Sequence, residues 1–420
     1  MALESVFVRP RTIAKLRSGP LGELLDGYAD WLLESGFRRS TIRRHLTNVS
    51  YLNRYFASQN ITCPQVISSK DLNGFLEDYP LRARFRGSLD KHLRCVNWSI
   101  NRFVYYLKHL KLYSSSEQSP LFQSLLDFYL KWMRDYKHAT PGTLGIRAHS
   151  LKIFFKWLGP QATTEGMSEL THESVENFFL SYADKSGRAA RRSMQAALRT
   201  FFRFCLHQGF VQQPLDCAVP TLRTYKLAVI PRGLTDVEAL NVLSSINRSS
   251  NAGRRDYAML LVLYTYGVRG GQVRALCLQD IDWANDQIYF KALKQGKNCL
   301  LPLSAEVGQS LLDYIQNARP PSSYQEVFLT TRAPYHPLPG SNDLSAIVRR
   351  HICNAGIESH AKGAHVFRHG LATSMLQRGH SLKEIADVLG HRHLRTTFIY
   401  SKVDFNTLRK VGLAWPGEVE

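Results

Sequence analysis

The chain has few of the features that are typical of secreted proteins, proteins with structural metal sites or membrane proteins. Its seven cysteines include no CxxC pair and lie mostly among apolar neighbours, so neither a zinc site nor a disulfide framework is predicted. No run of about 18 apolar residues is present, which argues against membrane spans. The opening Met-Ala-Leu-Glu lacks the charged start and apolar stretch of a secretion signal. A reducing cytoplasm is the expected compartment.

Acidic residues are also scarce relative to basic ones. There are 34 Asp and Glu against 54 Lys and Arg, which gives a formal net charge of +20. A field of that sign attracts a polyanion and predicts a salt-dependent affinity for nucleic acid. One cluster in the first part of the chain is suited to grip a DNA backbone: Arg38, Arg39, Arg43 and Arg44. A solvated protein surface is the alternative explanation for such a cluster.

The segment from residue 365 to residue 400 collects side chains suited to handling a phosphate. It reads HVFRHGLATSMLQRGHSLKEIADVLGHRHLRTTFIY. Its first apolar residues recur at helical spacing, which places His365 and Arg368 at the start of one helix and on the same face. Gly390 is expected to end a second helix in a left-handed cap, with His391 directly behind it.

The residue types of this segment define a chemistry. Arginine is a permanently charged donor fork matched to phosphate oxygens, and histidine donates hydrogen bonds or moves protons near neutrality. A phosphate surrounded by cations favours attack by a tyrosine such as Tyr400. Taken singly, each residue is more simply explained as a surface or packing residue, because the chain has 15 His and 19 Tyr. Together they predict a phosphoryl-transfer site without an obvious metal.

A second set of motifs lies upstream of this segment. An apolar helix runs into Tyr264-Thr-Tyr-Gly-Val-Arg269, and an LxxxDID sequence ends at Asp282. A short strand pair ending in Leu301-Pro302-Leu303 follows, and then come the HxxRH and LGH sequences and Tyr400. In this order and spacing, from about residue 233 to residue 405, the motifs resemble the catalytic domain of the tyrosine recombinases, the phage integrase family.

The resemblance implies a role for each matching residue. Arg269 and Arg368 would grip the non-bridging oxygens of the scissile phosphate and offset the charge of the transition state. His365 and His391 would be the two histidines of the family site, with His391 hydrogen bonding the phosphate. Tyr400 would attack the phosphorus, form a 3′-phosphotyrosine link and free a 5′ hydroxyl. Such a reaction needs no cofactor, neither ATP nor a divalent metal.

Alternation and turn residues between Ile288 and Pro302 predict a β-hairpin, which carries two lysines. The family keeps the lysine general acid for the leaving 5′ hydroxyl in this hairpin, and Lys294 stands eight residues before Pro302 as in the family. Lys297 is the second choice, and a lysine at a hairpin tip could instead contact the DNA backbone. Gln272 departs from the family, which usually has an acid there, and a neutral amide orients the first arginine more weakly. His369 is interpreted as helix packing.

Length predicts two or three domains, and an internal repeat helps to place them. The pattern LLDxYxxW occurs at residues 24–31 and again at 125–132, with a helix start expected at Thr41 and at Thr143. Two successive units of four helices, each of about 100 residues, would explain the repeat. The second unit resembles the family's core-binding domain. The predicted organisation is an additional helical DNA-binding or interaction domain (1–112), a core-binding domain (113–213), a linker (214–232) and the catalytic domain (233–420).

The predicted fold is therefore multidomain. All-α, SAM-like amino-terminal modules precede a mixed α+β catalytic domain with a small β-hairpin sheet. The resemblance implies a site-specific recombinase of the integrase or transposon type, bound to double-stranded DNA with no membrane partner, associated with the nucleoid. Its protomers would form a homo- or hetero-tetramer in which Asp404 to Val411 and the Trp415 tail reach a neighbour. The alternatives are a catalytically weak accessory subunit and a type IB topoisomerase-like enzyme.

Overall fold

A computed structural model describes residues 2–61, 67–82, 88–114, 121–222, 232–292, 298–358 and 363–403. The chain forms two compact units, one from residues 1–62 and 226–420 and the other from residues 63–225. Helices dominate both units, and the first also contains a three-stranded antiparallel sheet. These features agree with the predicted fold class. The predicted domain boundaries stay predictions.

The amino-terminal helices of the first unit pack around α3. Tyr28 of this helix is fully buried and stacks on Trp31, with ring centroids 6.1 Å apart. The longest of these helices begins two residues before the expected start at Thr41. The bounds are α1 (Ala2–Val6), α2 (Pro10–Arg17), α3 (Gly22–Glu34) and α4 (Arg39–Ser58).

The second unit repeats this aromatic arrangement. Tyr129 is fully buried and stacks on Trp132 at 6.3 Å, so the repeat in the sequence is also a repeat in side-chain packing. Thr140 caps the helix that was expected to start at Thr143 by accepting a hydrogen bond from the Thr143 N–H. The elements are β1 (Ile67–Ser68), α5 (Ser69–Arg82), α6 (Leu89–His109), β2 (Tyr113–Ser114), α7 (Gln123–Asp135), α8 (Pro141–Leu158), two 3-10 helices (Gly159–Gln161 and Gly166–Glu169), α9 (His172–Asp184) and α10 (Arg188–His207).

The remainder of the first unit is built around a buried apolar helix, α12. Residues 258 to 263 of this helix are at most 1% exposed, which explains why this part of its sequence is apolar on every side. The elements are α11 (Asp236–Ser244), α12 (Asn251–Tyr266), α13 (Gly270–Arg274), a 3-10 helix (Leu278–Asp280), β3 (Ile281–Asp282), β4 (Gln287–Phe290), β5 (Cys299–Pro302), α14 (Ala305–Asn317), α15 (Ser341–Asn354), α16 (His365–Gln377), α17 (Leu382–Val388) and a 3-10 helix (Leu394–Val403).

The small sheet has the order β3-β4-β5 and is antiparallel throughout. Gln287 pairs with Pro302 and Phe290 with Cys299, which confirms the hairpin predicted from the alternation before Pro302. The tip of this hairpin, residues 293–297, lies outside the described residues. Elsewhere in the described part of the chain, no helix is both long and apolar enough to cross a bilayer.

Candidate active site

Arg368 is a buried cation held by the ends of two other helices. Its Nη1 donates to the carbonyl of Gly267 at 2.9 Å and its Nη2 to the carbonyl of Leu389 at 2.8 Å. The first carbonyl closes α12 and the second closes α17, where backbone oxygens lack helical partners and the helix dipole is negative. Only 4% of Arg368 is exposed. Burial, and then the charge of Arg269, lower the pKa of Arg368 to about 10.

Glycine in the left-handed conformation ends both of those helices. Gly267 has φ +56° and Gly390 has φ +63°, and both angles favour glycine because it has no Cβ. The Gly390 N–H donates to Asp387 and the His391 N–H donates to Ala386 at 2.8 Å, which is the Schellman pattern. The predicted left-handed cap is thus confirmed, and it places His391 beside the carbonyl that Arg368 binds.

His391 is anchored through its second ring nitrogen. Its Nδ1 lies 2.8 Å from Oγ1 of Thr397, and both residues are buried. Burial, together with the charges of Arg368 and Arg269, lowers the pKa of His391 to about 4. The imidazole is therefore neutral near pH 7, and its Nε2 is the ring nitrogen not used by Thr397.

Tyr400 lies in the 3-10 helix that follows, packed into a small apolar cluster. The cluster consists of Ala372, Ile385, Leu389 and Tyr400, and the tyrosine is 2% exposed. Its hydroxyl lies 2.8 Å from Nδ1 of His369. Burial raises the pKa of Tyr400, while the charges of Arg368 and Arg269 lower it by less. The phenol is therefore protonated in the free protein.

Arg269 is placed by the turn between α12 and α13. Gln272 is 4% exposed; its Oε1 accepts the Arg269 backbone N–H at 3.1 Å and its Nε2 donates to the Lys291 carbonyl at 3.2 Å. The amide therefore fixes the backbone of Arg269 and ties it to the hairpin. This use of both polar ends gives Gln272 a positioning function that an acid, which cannot donate, would fill only in part.

Gly270, the residue after Arg269, has a packing reason. A Cβ on Gly270 would lie 2.9 Å from the Cβ of Ala364 and 3.0 Å from Leu344, so α13 approaches α15 and the start of α16 closely. His365 is exposed at the start of α16. The pKa of its ring is lowered by desolvation first and then by the charges of Arg368 and Arg269.

The lysines predicted from the hairpin, Lys294 and Lys297, lie outside the described residues. Lys291, at the base of the same hairpin, is engaged by Asp280 at 2.8 Å. Asp280 also accepts the Cys277 N–H at 2.9 Å. The LxxxDID motif therefore anchors the hairpin to the 3-10 helix before it.

The arginines predicted to bind DNA lie elsewhere, at the N-cap and in the first two turns of α4. All four are exposed, namely Arg38, Arg39, Arg43 and Arg44. Arg43 also donates to the Val6 carbonyl at 2.7 Å, so part of its role is to hold α1 against α4. In the described stretches no group of three His, Cys, Asp or Glu side chains is arranged to hold a metal ion.

The structure thus brings five of the six predicted catalytic side chains into one region: Arg269, His365, Arg368, His391 and Tyr400. It adds a residue that sequence analysis assigned to packing, since His369 contacts the tyrosine hydroxyl directly. The available signal was the spacing of His365, Arg368 and His369 at the start of one helix. That spacing does not show which of the three side chains faces Tyr400, which lies 31 residues after His369.

Comparison with known proteins agrees with this arrangement. Residues 234–407 match the phage integrase family. A relative described as "Putative integrase/recombinase y4rA", from Sinorhizobium fredii, is 32% identical over 403 residues, which is 96% of each chain. The chain belongs to the phage integrase family, the tyrosine recombinases, which are enzymes that break and rejoin DNA strands.

More distant relatives place the chain within that family. It is 28% identical over 296 residues to tyrosine recombinase XerC of Oceanobacillus iheyensis, covering 68% of this chain and 93% of the relative. A crystal structure of a lambda integrase tetramer bound to a Holliday junction shares the fold, with a TM-score of 0.52 and 17% identity over 83% of this chain and 88% of that chain. The predicted family, fold class and enzyme class are confirmed.

Proposed function

We propose that this recombinase cleaves DNA through Tyr400, which becomes joined to the 3′ phosphate, and that it moves a mobile element between defined sites. The observation that carries the proposal is that Arg368 and Tyr400 meet at Leu389, since Arg368 donates to the Leu389 carbonyl and Tyr400 packs in the same cluster as Leu389. Both Arg368 and Arg269 act on the pKa of the phenol, although the two arginines are 99 residues apart in the sequence. A phosphate bound between these cations would meet the tyrosine oxygen.

The arginines keep donors available for a phosphate. Two N–H groups of Arg368 are occupied by backbone carbonyls, which fixes the plane of the guanidinium and leaves its remaining N–H groups for the non-bridging oxygens. Arg269 is held through its backbone, and within the described residues no hydrogen bond occupies its guanidinium. A preformed cationic site of this kind stabilises developing charge without reorganisation.

The histidines would complete the phosphate site as neutral donors. His391 uses Nδ1 for Thr397, so its Nε2 can hydrogen bond a phosphate oxygen. His365 is exposed at the start of α16 and can approach the same phosphate from solvent. Lys294 is proposed as the acid that protonates the leaving 5′ oxygen, since Lys291 is held by Asp280. Lys297 would contact the DNA backbone.

The burial of Tyr400 implies a movement on the reaction path. A side chain that is 2% exposed cannot reach a phosphate on a duplex without displacement of its neighbours. When DNA binds, the apolar side chains packed against Tyr400 must open towards the phosphate. Cleavage would then be coupled to assembly on the correct site.

Double-stranded DNA is the proposed substrate, and a tetramer of recombinase protomers is the proposed active assembly. The net charge of +20 and the exposed arginines at the start of α4 support DNA binding. The lambda integrase neighbour was crystallised as a tetramer on a Holliday junction. Residues 404–411 and the Trp415 tail, which lie outside the described residues, are proposed to reach a neighbouring protomer.

The mobile-element role rests on two observations. The integrase/recombinase relative from Sinorhizobium fredii matches along 96% of this chain, so the additional amino-terminal segment is shared. The XerC relative matches only 68% of the chain. The extra helices before the core-binding region therefore favour integration or transposition over simple chromosome-dimer resolution.

A covalent-trapping experiment tests the proposal. Purified protein is incubated without metal with nicked duplexes taken from the DNA flanking its own coding region, and adducts are resolved on a denaturing gel. The wild-type protein and a Tyr324→Phe control, in which an exposed tyrosine is changed, should form the adduct, and Tyr400→Phe should not. An adduct that persists in Tyr400→Phe would disprove the assignment of the nucleophile.

Assays on the same purified protein distinguish DNA strand exchange from the relaxation of supercoiled DNA. Recombination predicts products only between two matched sites. Relaxation of any supercoiled plasmid by the unassembled protein would instead indicate topoisomerase-like activity. Salt-sensitive DNA binding without any adduct would indicate an accessory subunit.

A further inference from the structure

His369 is placed to act on the nucleophile itself. Its Nδ1 lies 2.8 Å from the Tyr400 hydroxyl oxygen, and the two ring centroids are 5.6 Å apart. Among the described residues, His369 is the hydrogen-bond partner of the Tyr400 hydroxyl. His369 directly follows Arg368 on α16. One helix turn therefore carries both a hydrogen-bond donor for the phosphate and a partner for the tyrosine.

The helix that carries His369 is held rigidly at this point. A Cβ on Gly370 would lie 2.3 Å from the Leu234 carbonyl oxygen, and a Cβ on Gly233 would lie 2.1 Å from the Gly370 nitrogen. The Leu234 N–H also donates to the Val366 carbonyl at 3.3 Å. The backbone of α16 at Gly370 therefore packs directly against the backbone of Gly233 and Leu234. This close packing limits how far His369 can move relative to the catalytic core.

In the free protein the surroundings keep the imidazole uncharged, whereas a phosphate anion bound by the arginines would offset their charge and favour its protonation. Burial, then His365 and then Arg368 lower the pKa of His369 to about 4, and His391 lies near enough for His369 to act on its pKa. A neutral imidazole has one nitrogen that accepts and one that donates. With the proton on Nε2, Nδ1 accepts the hydroxyl hydrogen of Tyr400, and this tautomer is assigned from the bond.

We propose that His369 accepts the Tyr400 hydroxyl hydrogen at Nδ1, orients the phenolic oxygen for attack, and takes up its proton as the tyrosine–phosphorus bond forms. This inference rests on the proposed function of Tyr400. A lone pair on the phenolic oxygen forms the new bond to phosphorus, and the bond from phosphorus to the 5′ oxygen breaks. The phenolic proton passes to Nδ1, and the 5′ oxygen takes a separate proton from the general acid assigned to Lys294. Atoms and charge balance without any other reactant.

Three substitutions separate orientation from packing. His369→Ala removes the acceptor, and His369→Asn puts an amide oxygen near the position of Nδ1. His369→Gln puts its amide near the position of Nε2 and serves as the matched control. The amide of Asn can orient the hydroxyl but cannot take its proton, so cleavage should rank wild type, then Asn, then Gln and Ala together. The loss in His369→Ala should be about 100-fold or more, as for removal of a general base.

A second substrate tests whether His369 acts on the proton of the tyrosine or on the proton given to the leaving 5′ oxygen. In a nicked duplex with a bridging 5′ sulfur at the scissile phosphate, the leaving group needs no proton. The cleavage defect of Lys294→Ala should largely disappear with this substrate, whereas that of His369→Ala should remain. Thermal unfolding of all variants is measured in parallel to show that each one folds.

The outcomes are distinct. A wild-type adduct with a slow His369→Ala, partial recovery in Asn and no rescue by sulfur supports the inference. Wild-type rates in His369→Ala, rescue of that variant by sulfur, or equal rates for Ala, Asn and Gln would overturn it. Absence of an adduct from the wild-type protein itself would overturn the proposed function as well, and the two failures are thereby told apart.

Discussion

At the scale of single residues, the site depends on polar side chains that are buried and held by hydrogen bonds within the protein. Arg368 illustrates this, because a charge that is 4% exposed is costly unless its donors are satisfied. Its partners, the carbonyls of Gly267 and Leu389, are available because two helices end there. Arg368 thus links the ends of two helices and is already positioned to donate hydrogen bonds to a phosphate.

Gln272 gives a residue-scale prediction. Gln272→Ala leaves the Arg269 N–H and the Lys291 carbonyl without their partner, so the free energy of unfolding should fall by about 2 kcal/mol and Tyr400 adduct formation should slow by about tenfold. Urea unfolding and covalent trapping measure the two effects. Gln279→Ala, at an exposed position, is the control and should change neither. Unchanged trapping in Gln272→Ala would show that the amide does not position Arg269.

At the scale of elements, glycines decide how closely the helices approach. In α16, a Cβ on Gly370 would lie 2.3 Å from a backbone oxygen, whereas a Cβ on Gly145 in α8 would meet nothing within 4 Å. The same substitution should therefore have opposite effects in the two helices.

Gly370→Ala is predicted to displace the start of α16 and with it Arg368 and His369. It should lower the free energy of unfolding by about 2 kcal/mol and reduce adduct formation. Gly145→Ala should instead raise stability by about 0.5 to 1 kcal/mol, because alanine favours a helix interior. Equal stability of the two variants in chemical denaturation would refute the close approach of α16 to Leu234.

A buried charge network joins α12 to α15. Asp256 is 1% exposed and accepts hydrogen bonds from Arg255 at 2.7 Å, from His351 at 2.9 Å and from Arg350. Burial alone would raise the pKa of Asp256. The hydrogen bonds from His351 and Arg255 and the charges of Arg255 and Arg350 outweigh burial and lower the pKa below its ordinary value.

This network predicts a dependence of stability on pH. A lowered folded-state pKa contributes stability that is fully present above the unfolded-state pKa, near 4, and that is lost as pH falls through the folded-state value. Asp256→Asn should be less stable at pH 7 by about 3 kcal/mol and should lose less stability than the wild type in acid. The control is Asp313→Asn, which breaks a more exposed pair with Arg254. Parallel pH profiles for the wild type and Asp256→Asn would contradict the prediction.

At the scale of the whole molecule, the net charge of +20 governs the encounter with DNA. Each phosphate that is neutralised contributes about 0.9 to the slope of log affinity against log salt. Replacing both Arg38 and Arg39 with Gln should therefore reduce the slope by about 2. Fluorescence anisotropy over a salt series measures the slope. The double Lys variant keeps the charge and should keep the slope, and an unchanged slope in the Gln variant would exclude these arginines from the DNA surface.

The sequence by itself determined the features that depend on local order and spacing. Thr235 and Glu238 have the spacing of a capping box, and the box forms. Gly390 predicted the left-handed cap behind which His391 lies, and the alternation before Pro302 predicted the β4–β5 hairpin. These features follow from residues a few positions apart, whose backbone preferences act locally.

Only the tertiary structure decided which distant side chains meet. His369 and Tyr400 are 31 residues apart, and Asp256 and His351 are 95 apart; no periodicity links such pairs. Gln272 was expected to orient Arg269 weakly as an amide, but it binds the backbone of Arg269 and a strand-end carbonyl. Contacts of this kind are set by how closely helices pack, which here depends on the missing Cβ atoms of Gly233, Gly270 and Gly370, and packing is a property of the assembled core.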